Sequence, residues 1–145
     1  MRNDLIVSES IDINVPTAKV WRGLTDPEII KGYLYGTETI TDWKIGSDIT
    51  FQGEYQGHAY KDKGIVRENE ENKLLSYRYW SGFSGVEDKP ENYSLVTYTV
   101  EPITADITKF TWTQRGFATE DGYNHSKVGM KAFLESVKKV IESAQ

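Results

Sequence analysis

Residues 119–144, TEDGYNHSKVGMKAFLESVKKVIESA, read as one long amphipathic helix, and in a short chain such a helix obliges the remaining residues to build a surface that covers it. Tyr123, Met130, Phe133, Leu134, Val137, Val140, Ile141 and Ala144 fall at helical spacing on one face. Lys127, Lys131, Glu135, Lys138, Lys139 and Glu142 lie on or beside the other, where Lys131 and Glu135, Glu135 and Lys139, and Lys138 and Glu142 stand four apart. Exposed pairs of this kind contribute only about 0.3 to 0.5 kcal/mol each, so the apolar face has to carry the stability. Val128 points away from that face as a single exposed apolar residue.

The cover comes from the preceding residues, which read as strands. Leu5 to Asn14 alternates Val7, Glu9, Ile11 and Ile13 against Ser8, Ser10, Asp12 and Asn14, the pattern of a half-buried strand. Pro16 and Thr17 open a short helix through Val20, Trp21 and Leu24. Thr25 or Asp26 caps a second one, with Pro27 in its first turn, Ile29, Ile30, Tyr33 and Leu34 on its buried side, and Gly36 as its stop. From Thr37 to Gln114 the pattern is alternating segments and polar turns, with Phe51 and Tyr55 on one face of the third strand, and Leu75, Tyr77 and Tyr79 on one face of the fifth. Val96, Tyr98 and Val100, and then Phe110, Trp112 and Gln114, complete the inner face. Threonines opposite them mark a sheet with one wet side. Ser81 to Asn92 is the longest irregular stretch. The expectation is an α+β fold in which a curved, antiparallel seven-stranded sheet grips the C-terminal helix, with two short helices after the first strand closing one end.

One domain over residues 1–145 accounts for this order, without repeat, linker or low-complexity tract. A chain of 145 residues can bury roughly 68 to 70% of its unfolded surface, enough to fold without disulfide or metal. There are no cysteines, which excludes thiol chemistry and fits a reducing cytoplasm. The net charge of −5, from 17 basic and 22 acidic residues, and the lack of a basic cluster outside the helix disfavour nucleic acid and anionic membranes as partners. No apolar run approaches the roughly 18 residues of a membrane span. The 4 Trp, 9 Tyr and 5 Phe point inward, to a core or a cavity.

The order of the motifs carries a family resemblance. Ile11-Asp12-Ile13-Asn14-Val15-Pro16, Val20-Trp21-Arg22-Gly23-Leu24-Thr25-Asp26-Pro27 and Asp42-Trp43-Lys44-Ile45-Gly46-Ser47 resemble the helix-grip superfamily (SRPBCC) that contains START domains and the birch pollen allergen. Leu75-Ser76-Tyr77-Arg78-Tyr79, Val96-Thr97-Tyr98-Thr99-Val100-Glu101-Pro102 and Thr113-Gln114-Arg115-Gly116-Phe117 extend the resemblance along the chain, and it is nearest to the branch named for the activator of heat-shock protein 90 ATPase. Where that family often has Gly-Trp early in the last helix, this chain has Gly129-Met130.

The resemblance implies a deep apolar cavity between sheet and helix in which relatives hold a lipid, sterol, polyketide or other hydrophobic molecule. Applied to this chain, Phe51, Tyr55, Tyr77, Tyr79, Tyr98, Trp112 and Gln114 from the strands would face Met130, Phe133 and Val137 from the helix. Ordinary core packing is the alternative for the same residues. The tyrosines favour a cavity, because three buried phenols each need a hydrogen-bond partner that a closed apolar core seldom offers. Met130, in place of an indole, suggests a wider and more adaptable entrance.

Catalytic patterns are sparse. His58 and His125 are far apart in unlike elements and read as surface residues, so no metal site is expected. Gly82-Phe83-Ser84-Gly85 lacks the spacing of a nucleophile elbow, and the acidic run Glu68, Glu70, Glu71 reads as a solvated turn. No cofactor is expected. Binding of a small hydrophobic ligand is the favoured function. A co-chaperone stimulating a heat-shock protein 90 ATPase is one alternative, resting on the branch name. A cavity enzyme of cyclase, dehydratase or hydrolase type is the other; its polar candidates would be Gln114, Tyr98 and Tyr79, none a strong base at neutral pH.

Overall fold

The computed structural model describes residues 1–144. Strand β1 (Arg2–Ile13) leads into helices α1 (Thr17–Thr25) and α2 (Pro27–Tyr33). Strands β2 (Glu38–Ile40), β3 (Asp48–Tyr55), β4 (His58–Glu70), β5 (Leu74–Trp80), β6 (Ser94–Pro102) and β7 (Thr108–Phe117) follow, and α3 (Glu120–Ser143) ends the chain. The seven strands form one antiparallel sheet in the order β1-β7-β6-β5-β4-β3-β2, so the chain meanders from β2 to β7 and the first strand closes against the last. This is the helix-grip architecture that the alternation of residue types predicts.

Local chemistry sets the element boundaries. Asp26 is the cap of α2, accepting the Glu28 backbone N–H at 3.0 Å with Pro27 in the first turn. The helix ends where Tyr35 (φ 55°) and Gly36 (φ 83°) turn left-handed. Gln56 and Gly57 make the two-residue hairpin between β3 and β4, both with positive φ, as the twist of the paired strands requires. Thr119 caps α3 by accepting the Gly122 N–H at 3.0 Å, and Glu120 and Asp121 lie at the positive end of the helix dipole.

The stripe on α3 divides by depth. Met130, Leu134, Val137 and Ile141 are buried, while Tyr123, Phe133 and Val140 are partly so, and Val128 is exposed. Of the three ion pairs suggested by spacing on the opposite face, Lys138–Glu142 closes at 3.0 Å and is the only one formed among the described residues. Its members are also tied to β1 and its end, since Lys138 Nζ donates to the Asp12 carbonyl at 2.6 Å and Glu142 accepts the Asn14 N–H at 2.8 Å. Gly23 permits the close approach of α1 to α3: a Cβ there would lie 2.5 Å from Ile141 Cγ1. On the wet face of the sheet, Ser8 and Thr113, and Ser10 and Thr111, share hydrogen bonds of 2.9 and 2.8 Å across β1 and β7.

The irregular segment 81–93 contains a single 3-10 turn, Pro90–Asn92, and is tethered at both ends. Asp88 accepts from Lys63 Nζ at 2.7 Å and from the Tyr93 hydroxyl at 2.5 Å, and the Trp80 indole donates to the Val86 carbonyl at 3.1 Å.

Candidate functional site

Alternation along the strands brings one side chain in two to the inner face. In β3 this is Phe51; in β5, Tyr77 and Tyr79; in β6, Val96 and Tyr98; in β7, Trp112 and Gln114. The part of α3 up to Phe133 crosses above them and contributes His125, Ser126, Gly129, Met130 and Phe133, while Leu34, Tyr35 and Thr37 close the side where α2 runs into β2. Between them is a pocket of about 420 Å³.

Its walls are rings in edge-on or tilted contact. Phe51 meets Tyr79 at 5.8 Å between centroids with the planes 73° apart, and Tyr77 also at 5.8 Å. Trp112 stands at 90° to Phe133 at 5.1 Å, joining sheet to helix. Such pairs are worth about 0.5–1.5 kcal/mol beyond the area they bury, and they hold the rings in fixed orientations.

Of the residues expected from sequence to face the helix, Phe51, Tyr77, Tyr79, Trp112, Gln114, Met130 and Phe133 lie together on this pocket. Three lie elsewhere. Tyr55, on the same face of β3 as Phe51, is the last residue of the strand, 62% exposed, and lines an adjoining cleft with Tyr60 and Phe83. Tyr98 and Val137 are buried behind the wall in the closed core.

The phenols find their partners within the protein. Tyr77 and Tyr98 hydroxyls share a hydrogen bond of 2.6 Å, and the Tyr79 hydroxyl donates to Asp62 Oδ2 at 2.7 Å. The need for partners therefore does not itself distinguish a cavity from a core, because neighbouring tyrosines on adjacent strands satisfy one another. Burial pushes the Tyr77, Tyr79 and Tyr98 phenols well above their ordinary range, Tyr79 further through the negative charge of Asp62. At neutral pH they are hydrogen-bonding groups and not bases. The Trp112 indole N–H is buried with no acceptor among the described residues, which costs about 1–3 kcal/mol where the group is fully desolvated.

Asp62 is the functional candidate that the sequence reading missed. It is buried on the inner face of β4, in the run Tyr60, Asp62, Gly64, Val66 that alternates with Lys61, Lys63 and Ile65. The alternation itself was a signal, since it puts a carboxylate where an apolar side chain is the rule. Asp62 Oδ1 accepts the Gly82 N–H at 3.0 Å, so the carboxylate also anchors the start of the 81–93 segment. Thr37, a further lining residue, hydrogen-bonds the Tyr60 hydroxyl, and Gly53 makes room for that side chain: a Cβ at Gly53 would lie 2.6 Å from the hydroxyl oxygen. His125, read from sequence as a surface residue, is exposed and at the mouth of the pocket. Gln114 donates weakly to Ser94 Oγ at 3.4 Å and, with Tyr79, also borders a smaller pocket of about 230 Å³ under the 81–93 segment.

Among the described residues no group of three His, Asp or Glu converges to hold a metal ion, and no helix is long and apolar enough to cross a membrane.

Comparison with known proteins gives a consistent picture. The family model described as "Activator of Hsp90 ATPase homolog 1-like protein" matches residues 14–142. The solution structure of ChR145 from Cytophaga hutchinsonii is similar at 39% identity with a TM-score of 0.82, over 99% of this chain and 98% of that one. At the level of fold, the Aha1 dimer from Colwellia psychrerythraea (18% identity, TM-score 0.72) and an HSP90 activator from Plasmodium falciparum (16%, 0.72) each match over 94% of this chain and 96% of their own. No curated protein matches the chain.

Proposed function

We propose that this chain, which belongs to the activator of Hsp90 ATPase homologue 1-like family, binds a small molecule with an apolar body in the pocket between its sheet and α3. The observation that carries the reading is the pocket itself: about 420 Å³ walled by Phe51, Tyr77, Tyr79, Trp112, Met130 and Phe133, with only a few polar groups among them. A volume of several hundred Å³ lined by rings, with sparse polar groups to orient a guest, is the usual form of a small-molecule site. Native mass spectrometry of gently purified protein against extracted metabolites is the direct test. A retained mass, reproduced by a thermal shift with the isolated compound, is the expected result. A broad panel of lipids and aromatics giving neither retained mass nor thermal shift would overturn the reading.

A second reading follows from the family description and from the likeness in fold to an HSP90 activator. Stimulation of a heat-shock protein 90 ATPase by this chain is measured directly with the cognate chaperone. No stimulation at excess protein removes it. We assign no catalytic residue, because the phenols of the wall are held protonated by burial.

A further inference from the structure

The charge around the pocket is one-sided. Its lining contains a single acidic side chain, Asp62, and no lysine or arginine. Asp62 is 8% exposed, and none of the ion pairs among the described residues includes it. The neighbouring lysines of β4 point to the opposite, solvent face, where Lys63 is paired to Asp88. His125, the other titratable lining group besides the tyrosines, is exposed at the mouth.

A buried carboxylate without a counter-charge is costly unless its lone pairs are used. The Tyr79 hydroxyl and the Gly82 N–H use one on each oxygen, and a carboxylate accepts about four hydrogen bonds, so each oxygen keeps acceptor capacity. Beside it, Phe51, Tyr77 and Tyr79 form a ring cluster with centroids 5.8 to 6.5 Å apart. Rings clustered beside a carboxylate are surroundings that attract an organic cation, through the ring quadrupole and the negative charge together.

We infer that the pocket selects a ligand whose apolar body ends in a protonated amine, held by Asp62 within the Phe51, Tyr77 and Tyr79 rings, and that it disfavours carboxylate ligands such as fatty acid anions. This rests on the ligand-binding reading above and names the class of ligand. The apolar body lies between Trp112, Met130 and Phe133, and the ammonium end replaces the missing counter-charge. An anionic head in the same place would face Asp62 with no cation in the lining to offset the repulsion.

A matched series tests this: naphthylmethylamine, naphthylmethanol and naphthoate share a body and differ in the head group. Titration calorimetry at neutral pH should rank amine over alcohol by roughly tenfold in Kd, with the acid weakest. Asp62→Asn should erase the advantage of the amine and leave the alcohol within about twofold. Asparagine can keep both local contacts, its oxygen accepting from Gly82 and its amide donating to the Tyr79 hydroxyl. Phe51→Leu, which keeps the charge and removes one ring, should weaken the amine more than the alcohol and gives an independent check should Asp62→Asn fold poorly. Equal or tighter binding of the alcohol or the acid by the unaltered protein overturns the charge selectivity while leaving the pocket reading intact. Binding of none of the three overturns both.

Discussion

Along α3 one apolar stripe meets two kinds of surroundings. In its second half, Leu134, Val137 and Ile141 join a sealed cluster with Ile13, Val20, Leu24 and Phe110, every one of them at most 1% exposed. Before that, Met130 and Phe133 look across a pocket at Phe51, Tyr77, Tyr79 and Trp112. The sheet and the helix are common to both halves, so the difference comes from what else packs there. At the sealed end, α1 and α2 reach the helix through glycines, with Gly23 against Ile141 and Gly32 against Val140. Branched aliphatic side chains then fill the space at close-packed density. At the open end rigid rings line the space without filling it.

Alkali should break the open end, and with it the fold. Tyr33, Tyr77, Tyr79 and Tyr98 all have phenols raised by burial above the ordinary 10.0. Above pH 10 the unfolded chain therefore releases these protons while the folded one retains them. The stability present below pH 10 is lost as pH climbs toward the folded values. Ionisation of these four, followed by tyrosinate absorbance, should coincide with loss of the circular dichroism signal. Ionisation well before unfolding would mean that water reaches these buried tyrosines in the folded protein.

Leu134→Ala probes the sealed end. A cavity there should cost about 2–5 kcal/mol in urea denaturation, with no change in the affinity of the folded protein for pocket ligands. A cost below about 1 kcal/mol would show that this end collapses easily, and the contrast would disappear.

Tyr77→Phe leaves the Tyr98 hydroxyl buried without its partner, for an expected loss of about 1–3 kcal/mol. Adding Tyr98→Phe should recover most of it, because the stranded hydroxyl is removed as well. A double-mutant cycle measures the coupling, and strict additivity would argue that the hydroxyls do not depend on each other.

Met130→Trp is the gentlest change. Met130 is buried yet borders the pocket, so a larger ring has space on one side. A nearly unchanged melting temperature and weakened binding of bulky apolar probes are expected. A loss of about 1 to 3 kcal/mol with unaltered affinity would mean that the residue is overpacked core.

Much of the fold was legible because periodicity is local. The spacing of Leu134, Val137 and Ile141 marks a helix face whatever lies opposite, and the alternation of Tyr77 and Tyr79 with Ser76 and Arg78 marks a strand face. Turn chemistry placed Thr25 or Asp26 and Gly36 at the ends of the second short helix. The site was legible only as a face. Phe51 and Tyr55 share a face by sequence, yet Phe51 is in the wall and Tyr55, the last residue of β3, is exposed at the hairpin.

Sequence alone determined which side of each element turns inward and that the strands form a meander around the last helix, since both follow from local periods of about 3.6 and 2 residues and from short connections. Tertiary structure decided the rest. That Tyr77 pairs with Tyr98 rather than a guest, that Tyr98 and Val137 lie behind the wall, and that Asp62 faces the rings with no cation beside it depend on the register of β4, β5 and β6 and on the distance of α3 above them. Those quantities are set by pairings between residues far apart in the chain, and the volume left between two apolar faces is a small difference between side-chain sizes and element spacing that no local pattern encodes.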